Sequence, residues 1–323
     1  MHVFSDFPLS KITWYKVGGV ARHFLLAENR EGLLRSLDFI NKEKPKRLFV
    51  CGLGSNLIMP DEYFDGAVLQ IASPKHATDG MVVKPDNMIE AFSGVILDDL
   101  ITYSFTQKLT GLEWAGGLPG TVGAGVRGNV GAFGGEIKDR LVSAEVLDLR
   151  EEGFHFSRLT NEQLHFAYRE SSIKQEKKLL VMSALFGMHA ANDTEFDQAQ
   201  EVAAKNILYR KEHHPIEYPT CGSVFKNIRD QKNVQKVLTI WPDTQEFITD
   251  RWHGKVSMGY IIKRLGFSGY RIGNMEVSTK HSNFIINLGE GKAADVLTII
   301  GHIQEKVSET FGFMPEVEVE IVH

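Results

Sequence analysis

The chain has 323 residues, with 43% hydrophobic and 24% charged side chains and a net charge of −5. That length predicts two or three domains. The absence of any long basic run or stripe argues against nucleic-acid binding. No apolar run approaches the roughly eighteen residues of a membrane span. The opening MHVFSDFPLSKITWYK lacks the charge-then-apolar pattern of a signal peptide. Cys51 and Cys221 are far apart in sequence, which predicts a reducing, cytoplasmic setting without a disulfide framework.

In chain order, Asn29 is placed to cap a helix with Leu33, Leu34, Leu37 and Ile40 on one face. Leu48 to Cys51 reads as a short buried strand running into Gly52-Leu53-Gly54-Ser55-Asn56, with a further strand over Ala67 to Ile71. From Met81 the pattern becomes α+β. Strands are expected at 81–83, 88–92, 144–149 and 181–186, with one helix carrying Leu97, Leu100, Ile101, Ser104 and Phe105. Thr194 and Asp197 predict a variant capping box for a helix that turns Phe196, Ala199, Ala203 and Ile207 inward. Pro215 and Pro219 mark a boundary. The polar stretch 228–256 carries no clear period. Asn283 to Asn287 reads as a strand. Val296, Ile299, Ile300, Ile303, Val307 and Phe311 space as an amphipathic helix, with Gly312 just beyond its end. In the terminal PEVEVEI, valines and isoleucine alternate with glutamates, as on a strand with one acidic face.

Ten of the thirty glycines fall within 111–135, GLEWAGGLPGTVGAGVRGNVGAFGG. Such density requires positive φ or very close backbone approach, either to a ligand or within a packed core. The turn after Cys51 lacks the third glycine of a dinucleotide fingerprint, since position 57 is Leu57, and no P-loop occurs. What remains is a turn whose N–H groups, with Ser55 and Asn56, could cradle an anion. Arg169, in Tyr168-Arg169-Glu170-Ser171, has the planar fork suited to a carboxylate or phosphate, or else pairs with Glu170. Ser223, in CGSVFKN, is not in an esterase elbow. His213, His214 and His281 lack metal-ligand spacing, so no metal is expected.

Taken together and in this order, GLGSNL, GLEWAGGLPGTVGA, NVGAFG, YRES, CGSVFKN, KHSNFIIN and PEVEVEI resemble the UDP-N-acetylenolpyruvoylglucosamine reductases of peptidoglycan synthesis. TWYKVGGVARHF resembles that family's opening. The resemblance spans nearly the whole chain. It implies a mixed α+β and α/β fold in three parts, the FAD-binding fold of vanillyl-alcohol-oxidase-like (PCMH-type) flavoenzymes with a C-terminal substrate domain. The expected divisions are 1–73 (which 316–323 could complete), 74–214 and 215–315. FAD would be held by Gly52, Gly54, Ser55, Asn56, Gly117, Pro119, Gly120, Thr121, Gly123, Asn129, Gly131 and Ala132. NADPH would be the electron donor and the enolpyruvyl UDP-sugar the substrate, both small molecules.

By the same resemblance, Arg169 would stabilise developing charge, Ser223 would deliver a proton, and Glu318 would stand on the substrate's other side with a raised pKa. Tyr168, Asn227, Lys211 and His281 would contact the substrate, His213 being the alternative to Lys211. The sequence departs from the family pattern at Arg127, Phe133, Ile228 and Pro315, the last leaving Glu316 as the alternative to Glu318. The Arg169 to Ser223 interval is too short for an additional tyrosine-bearing loop, which implies the loopless type. The competing readings are an FAD-dependent sugar or lactone oxidase of the same fold and a non-catalytic sugar-nucleotide-binding relative.

Overall fold

The computed structural model describes residues 1–149 and 153–323. These form two compact units, one of Met1–Phe7, Ala21–Leu53 and Asp65–Glu212, the other of Pro8–Val20, Gly54–Phe64 and His213–His323.

The first unit contains a four-stranded sheet in the order His2–Pro8, Val20–Ala27, Phe64–Ile71, Leu48–Cys51. The last two strands run parallel, with Leu48 opposite Ala67. Helix Arg30–Glu43 starts where the Asn29 side chain accepts from Gly32 N at 2.8 Å, and it buries Leu33, Leu37 and Ile40. Strand Leu48–Cys51 lies at the sheet edge, so only Cys51 is buried; the expectation of a fully buried strand is corrected.

The same unit holds a five-stranded antiparallel sheet ordered His155–Thr160, Leu141–Asp148, Leu179–Gly187, Met88–Phe92, Met81–Lys84. Ala144 pairs with Ala184 and Ala184 with Ala91, which keeps the centre of the sheet thin. Helices Leu97–Thr106 and Val122–Gly128 pack here, the second on strand Leu179–Gly187.

Helix Asp193–His213 corrects two expectations. Its capping box is Asn192 with Glu195: Asn192 Oδ1 accepts from Glu195 N at 3.0 Å and Glu195 Oε2 from Asn192 N at 3.1 Å. Its buried stripe runs Phe196, Ala199, Ala203, Asn206, Arg210, a spacing of alternating three and four, so Ile207 is left 36% exposed. Two polar residues complete that stripe because they bond to backbone carbonyls of the glycine-rich loop. Asn206 Nδ2 donates to Trp114 O at 3.3 Å and Arg210 Nε to Gly116 O at 3.1 Å.

The second unit is organised around helix Ala293–Phe311, which ends at Gly312 with φ 70°. Its Val296, Ile299, Ile300, Ile303 and Val307 pack with Val234, Val237, Ile261 and Ile262 in one core. The polar stretch without a clear period contains helices Gln231–Ile240 and Gln245–Asp250, the first capped by Asp230. Strands Arg271–Ile272, Met275–Val277 and Ile285–Asn287 form a small antiparallel sheet. The terminal acidic strand is shorter than its alternation implies: Glu320–Ile321 pairs in parallel with Leu57–Ile58, and upstream only an isolated bridge joins Val317 to Phe225.

Candidate active site

Within the first unit the glycine-rich segment is an ordered loop held by its own chain. The Thr121 hydroxyl caps helix Val122–Gly128 by accepting from Ala124 N, and Gly120 O accepts from Leu97 N at 3.0 Å. Many of its glycines are required by packing. A Cβ at Gly123 would lie 2.7 Å from Ser93 Cβ, one at Gly135 2.3 Å from the Trp114 ring, and one at Gly131 2.6 Å from Gly135 O. Gly52 belongs to this arrangement, since its Cβ would fall 2.4 Å from Thr121 Oγ1. By contrast, a Cβ at Gly120 would meet nothing nearer than Leu97 at 3.7 Å, and those at Gly128 and Gly134 nothing within 4 Å. Pro119 is exposed, Gly120 and Thr121 are buried, and Gly117, with φ +70°, is half-buried. Ala132 pairs with Gly135 across a two-residue turn formed by Phe133 and Gly134, both at positive φ.

Arg169 is brought onto this loop. Ala167 and Glu170 exchange both backbone hydrogen bonds at 3.1 Å, leaving Tyr168 and Arg169 at the tip of a tight turn with Arg169 at φ +60°. Arg169 Nη2 donates to Gly131 O at 2.6 Å, and its guanidinium lies 5.0 Å from the Tyr168 ring centre. Asn129, fully buried, secures the turn: Nδ2 donates to Ala167 O at 2.9 Å and to Glu136 at 3.1 Å, while Oδ1 accepts from Lys138 N. Its amide therefore anchors the Arg169 turn. Glu170 takes the ammonium of Lys174 at 3.3 Å. Lys211 is exposed near the end of helix Asp193–His213.

The second unit positions Ser223 and Glu318 on two segments joined by the isolated Phe225–Val317 bridge. Ser223 bridges Phe284, Val224 N donates to Asn283 O at 2.8 Å, and Val224 O accepts from Glu318 N at 2.7 Å. Asn283, 3% exposed, grips the next residue twice: Oδ1 accepts from Phe225 N at 3.0 Å and Nδ2 donates to Phe225 O at 2.8 Å. Gly222, just before Ser223, has φ +83°, and a Cβ there would touch nothing within 4 Å. Ser223 and Glu318 are half-buried, whereas Glu316 is exposed and ion-paired to Lys226 at 3.0 Å.

Asn56 is exposed, its Nδ2 donating to Glu318 O at 3.3 Å; Ser55 is half-buried. Gly54, at φ +68°, is packed against its own chain, because a Cβ would lie 2.2 Å from Ile12 O. Asn227 Oδ1 accepts from Met258 N at 3.1 Å, and His213 is exposed.

Burial sets the titration of this unit. The Cys221 thiol, 3% exposed, faces the fully buried Tyr15 phenol without the alignment of a conventional hydrogen bond. Burial pushes that thiol up to about 12, with the nearby Glu318 adding to the rise. Tyr15 is raised as well, chiefly by burial. His281 packs edge-on to Phe284 and His214, and its Nδ1 accepts from Asn283 N at 3.2 Å; burial lowers its pKa. Among the described residues no group of His, Cys, Asp and Glu could hold a metal ion, and no helix is long and apolar enough to cross a membrane.

A family profile described as FAD binding domain matches residues 21–156, and one described as UDP-N-acetylenolpyruvoylglucosamine reductase, C-terminal domain, matches residues 214–322. Over 317 residues the chain is 33% identical to the UDP-N-acetylenolpyruvoylglucosamine reductase of Caldicellulosiruptor saccharolyticus, covering 98% of this chain and 91% of that one. It is 36% identical over 323 residues to the same-named protein of Latilactobacillus sakei, covering 100% and 94%. The crystal structure of UDP-N-acetylenolpyruvylglucosamine reductase (MurB) from Thermus caldophilus is similar over 100% of this chain and 98% of that one, with a TM-score of 0.73 at 26% identity. The fold is thus an FAD-binding fold with a C-terminal domain, that of a flavin-dependent oxidoreductase. Within that class, the chain belongs to the UDP-N-acetylenolpyruvoylglucosamine reductase family.

The residues present fit an FAD group. Three buried donors around the glycine-rich loop lack a protein partner among the described residues: Ser93 Oγ, Trp114 Nε1 and Arg210 Nη2. Ser93 lies against Gly123, Trp114 against Gly135, and Arg210 against Gly117. Orphaned donors of this kind are costly unless something accepts from them, and a dinucleotide rich in phosphate and carbonyl oxygens does so. None of the three stands out in the sequence as a ligand residue. Only the glycine density beside them signals the loop.

Proposed function

We propose that the protein is the FAD-dependent enzyme that reduces UDP-N-acetylglucosamine enolpyruvate to UDP-N-acetylmuramate with NADPH, in cytoplasmic peptidoglycan precursor synthesis. The observation that carries this reading is the match to reductases of that name over essentially the whole chain. Bound FAD supplies hydride transfer. The loop 116–135, in which Gly120, Gly128 and Gly134 are the least obstructed glycines, would hold it, together with the turn 52–56.

Arg169, bonded to Gly131 O beside the Asn129-anchored turn, would present its guanidinium to the substrate carboxylate as charge builds there. Ser223 would hold the proton that completes reduction. Its segment is fastened on one side by Asn283 and on the other by Glu318 N, so its hydroxyl needs little reorganisation. Glu318 would stand beside it as a partner for the substrate, with Tyr168, Asn227 and His281 in supporting contacts. Exposed Lys211 and His213 remain the two candidates for the sugar-nucleotide phosphates. The two buried cysteines suit a reducing compartment.

The test is anaerobic stopped-flow spectroscopy of the purified protein. It should be yellow, and NADPH should bleach the flavin band, which returns on adding the enolpyruvyl sugar. Ser223→Ala should leave bleaching intact and slow the return at least a hundredfold. A colourless protein that ignores added FAD, or equal slowing of both halves, would refute the assignment of fold chemistry or of Ser223 respectively.

A further inference from the structure

Asp98 and Arg210 hold opposite ends of one peptide unit in the glycine-rich loop. The C=O of Gly116 accepts from Arg210 Nε at 3.1 Å, and the N–H of Gly117 donates to Asp98 Oδ1 at 2.8 Å. Those two groups belong to the same amide plane, so its orientation is fixed from both sides. Gly117 sits at φ +70°, a conformation from which a glycine peptide flips easily unless restrained. The neighbouring space is closed, since a Cβ at Gly116 would fall 2.7 Å from Ala203 O. Asp98 lies in the first turn of helix Leu97–Thr106, and Leu97 N of the same turn holds Gly120 O. One helix start therefore fixes both ends of the segment 117–120.

Arg210 is 9% exposed and its Nη2 has no partner among the described residues. The guanidinium lies 5.0 Å from the centre of the Phe133 ring, at the turn that closes the loop. Burial lowers its pKa to about 10, and Asp98 opposes that shift. A buried cation with an idle donor is expensive to retain in a fold. It is accounted for if Nε serves the loop and Nη2 serves a ligand.

We infer that Asp98 and Arg210 are positioning residues for the flavin nucleotide, locking the Gly116–Gly117 peptide and presenting Arg210 Nη2 to an electron-rich oxygen or nitrogen of that ligand. The inference rests on the FAD reading above. Because the donor is cationic, it favours the reduced, more electron-rich flavin over the oxidised one.

The experiment strips FAD from the full chain and titrates it back, following flavin fluorescence, and measures the bound flavin's midpoint potential. Asp98→Ala should weaken FAD binding about tenfold or more, and Asp98→Asn, whose Oδ1 still accepts from Gly117 N, should restore it. Arg210→Met should weaken binding and lower the potential; a tenfold loss of preference for the reduced form corresponds to about 30 mV for a two-electron couple. If Arg210→Met does not fold, Arg210→Lys keeps the charge but not the fork, and weaker FAD binding by it supports the clamp. Asp98→Ala and an Arg210 variant binding FAD within twofold of the unaltered chain, at unchanged potential, would overturn the clamp and leave the proposed function standing. Failure of the unaltered chain to bind FAD would overturn both.

Discussion

Replacing Asn283 by alanine removes both hydrogen bonds that hold the main chain of Phe225. Both sites are dry by burial, Asn283 being 3% and Phe225 1% exposed. The N–H and C=O of Phe225 point toward Asn283, because the segment's other side is engaged through Val224 and Lys226 with Glu318 and Glu316. Alanine therefore leaves two buried backbone groups unsatisfied at about 1–3 kcal/mol each. Removing the buried amide offsets part of this, so the expected loss is about 2–5 kcal/mol. The assay is urea unfolding followed by tryptophan fluorescence. Three of the four tryptophans, Trp14, Trp241 and Trp252, lie in the unit that contains Asn283, so the signal reports mainly on that unit. The midpoint should fall at an unchanged denaturant slope. In the fraction that folds, FAD affinity should be retained while the sugar half-reaction slows, since the altered segment carries Ser223. A loss below about 1 kcal/mol would mean that relaxation satisfies Phe225 and that Asn283 does not hold the Ser223 segment in place.

Glu318→Gln should slow the sugar half-reaction at least tenfold without affecting flavin reduction, whereas Glu316→Gln should alter neither, because Glu316 is exposed and its ion pair with Lys226 is of the weak surface kind. The reverse pattern in rapid-mixing traces would move the family acid to Glu316. Cys221 gives an alkaline signature. Its folded thiol titrates near 12, above the ordinary 9.0, so its contribution to stability is fully present below pH 9. As pH rises from 9 toward 12 the unfolded chain ionises while the folded one does not, and stability falls by about 1.4 kcal/mol per pH unit from this group. Cys221→Ala should flatten that limb in denaturant titrations at pH 8, 9 and 10; an unchanged slope would show that the thiol is not held neutral by the fold.

Local rules made much of this fold legible. Asn29 before a 3.6-residue apolar period gave a capped helix, and the run from Val296 to Phe311 closed by Gly312 gave the longest helix of the second unit. The four strands expected between residues 81 and 186 form within one sheet. What local rules miss is set by distant partners. The inward stripe of helix Asp193–His213 continues through Asn206 and Arg210 because loop carbonyls await them there, and no apolar period announces that. The asparagines of KHSNFIIN read only as ends of a strand, yet Asn283 fastens Phe225 and Asn287 donates to Tyr15 O at 2.8 Å.

The glycine-rich segment shows the same limit from the other direction. Its composition calls for close approach but cannot name the approaching atoms. In the folded chain most of them are the protein's own: Thr121 against Gly52, Ser93 against Gly123, Trp114 against Gly135, Ala203 against Gly116. That does not weaken a binding role. A loop tightened by its own side chains is already ordered before a ligand arrives, and so avoids much of the entropy loss that a flexible glycine segment would suffer on binding. The donors left over by that packing, Ser93 Oγ, Trp114 Nε1 and Arg210 Nη2, are then fixed in place, which is the condition for them to discriminate one ligand geometry from another. Packing glycines and unobstructed glycines would therefore be parts of one device, the first holding still what the second leaves accessible.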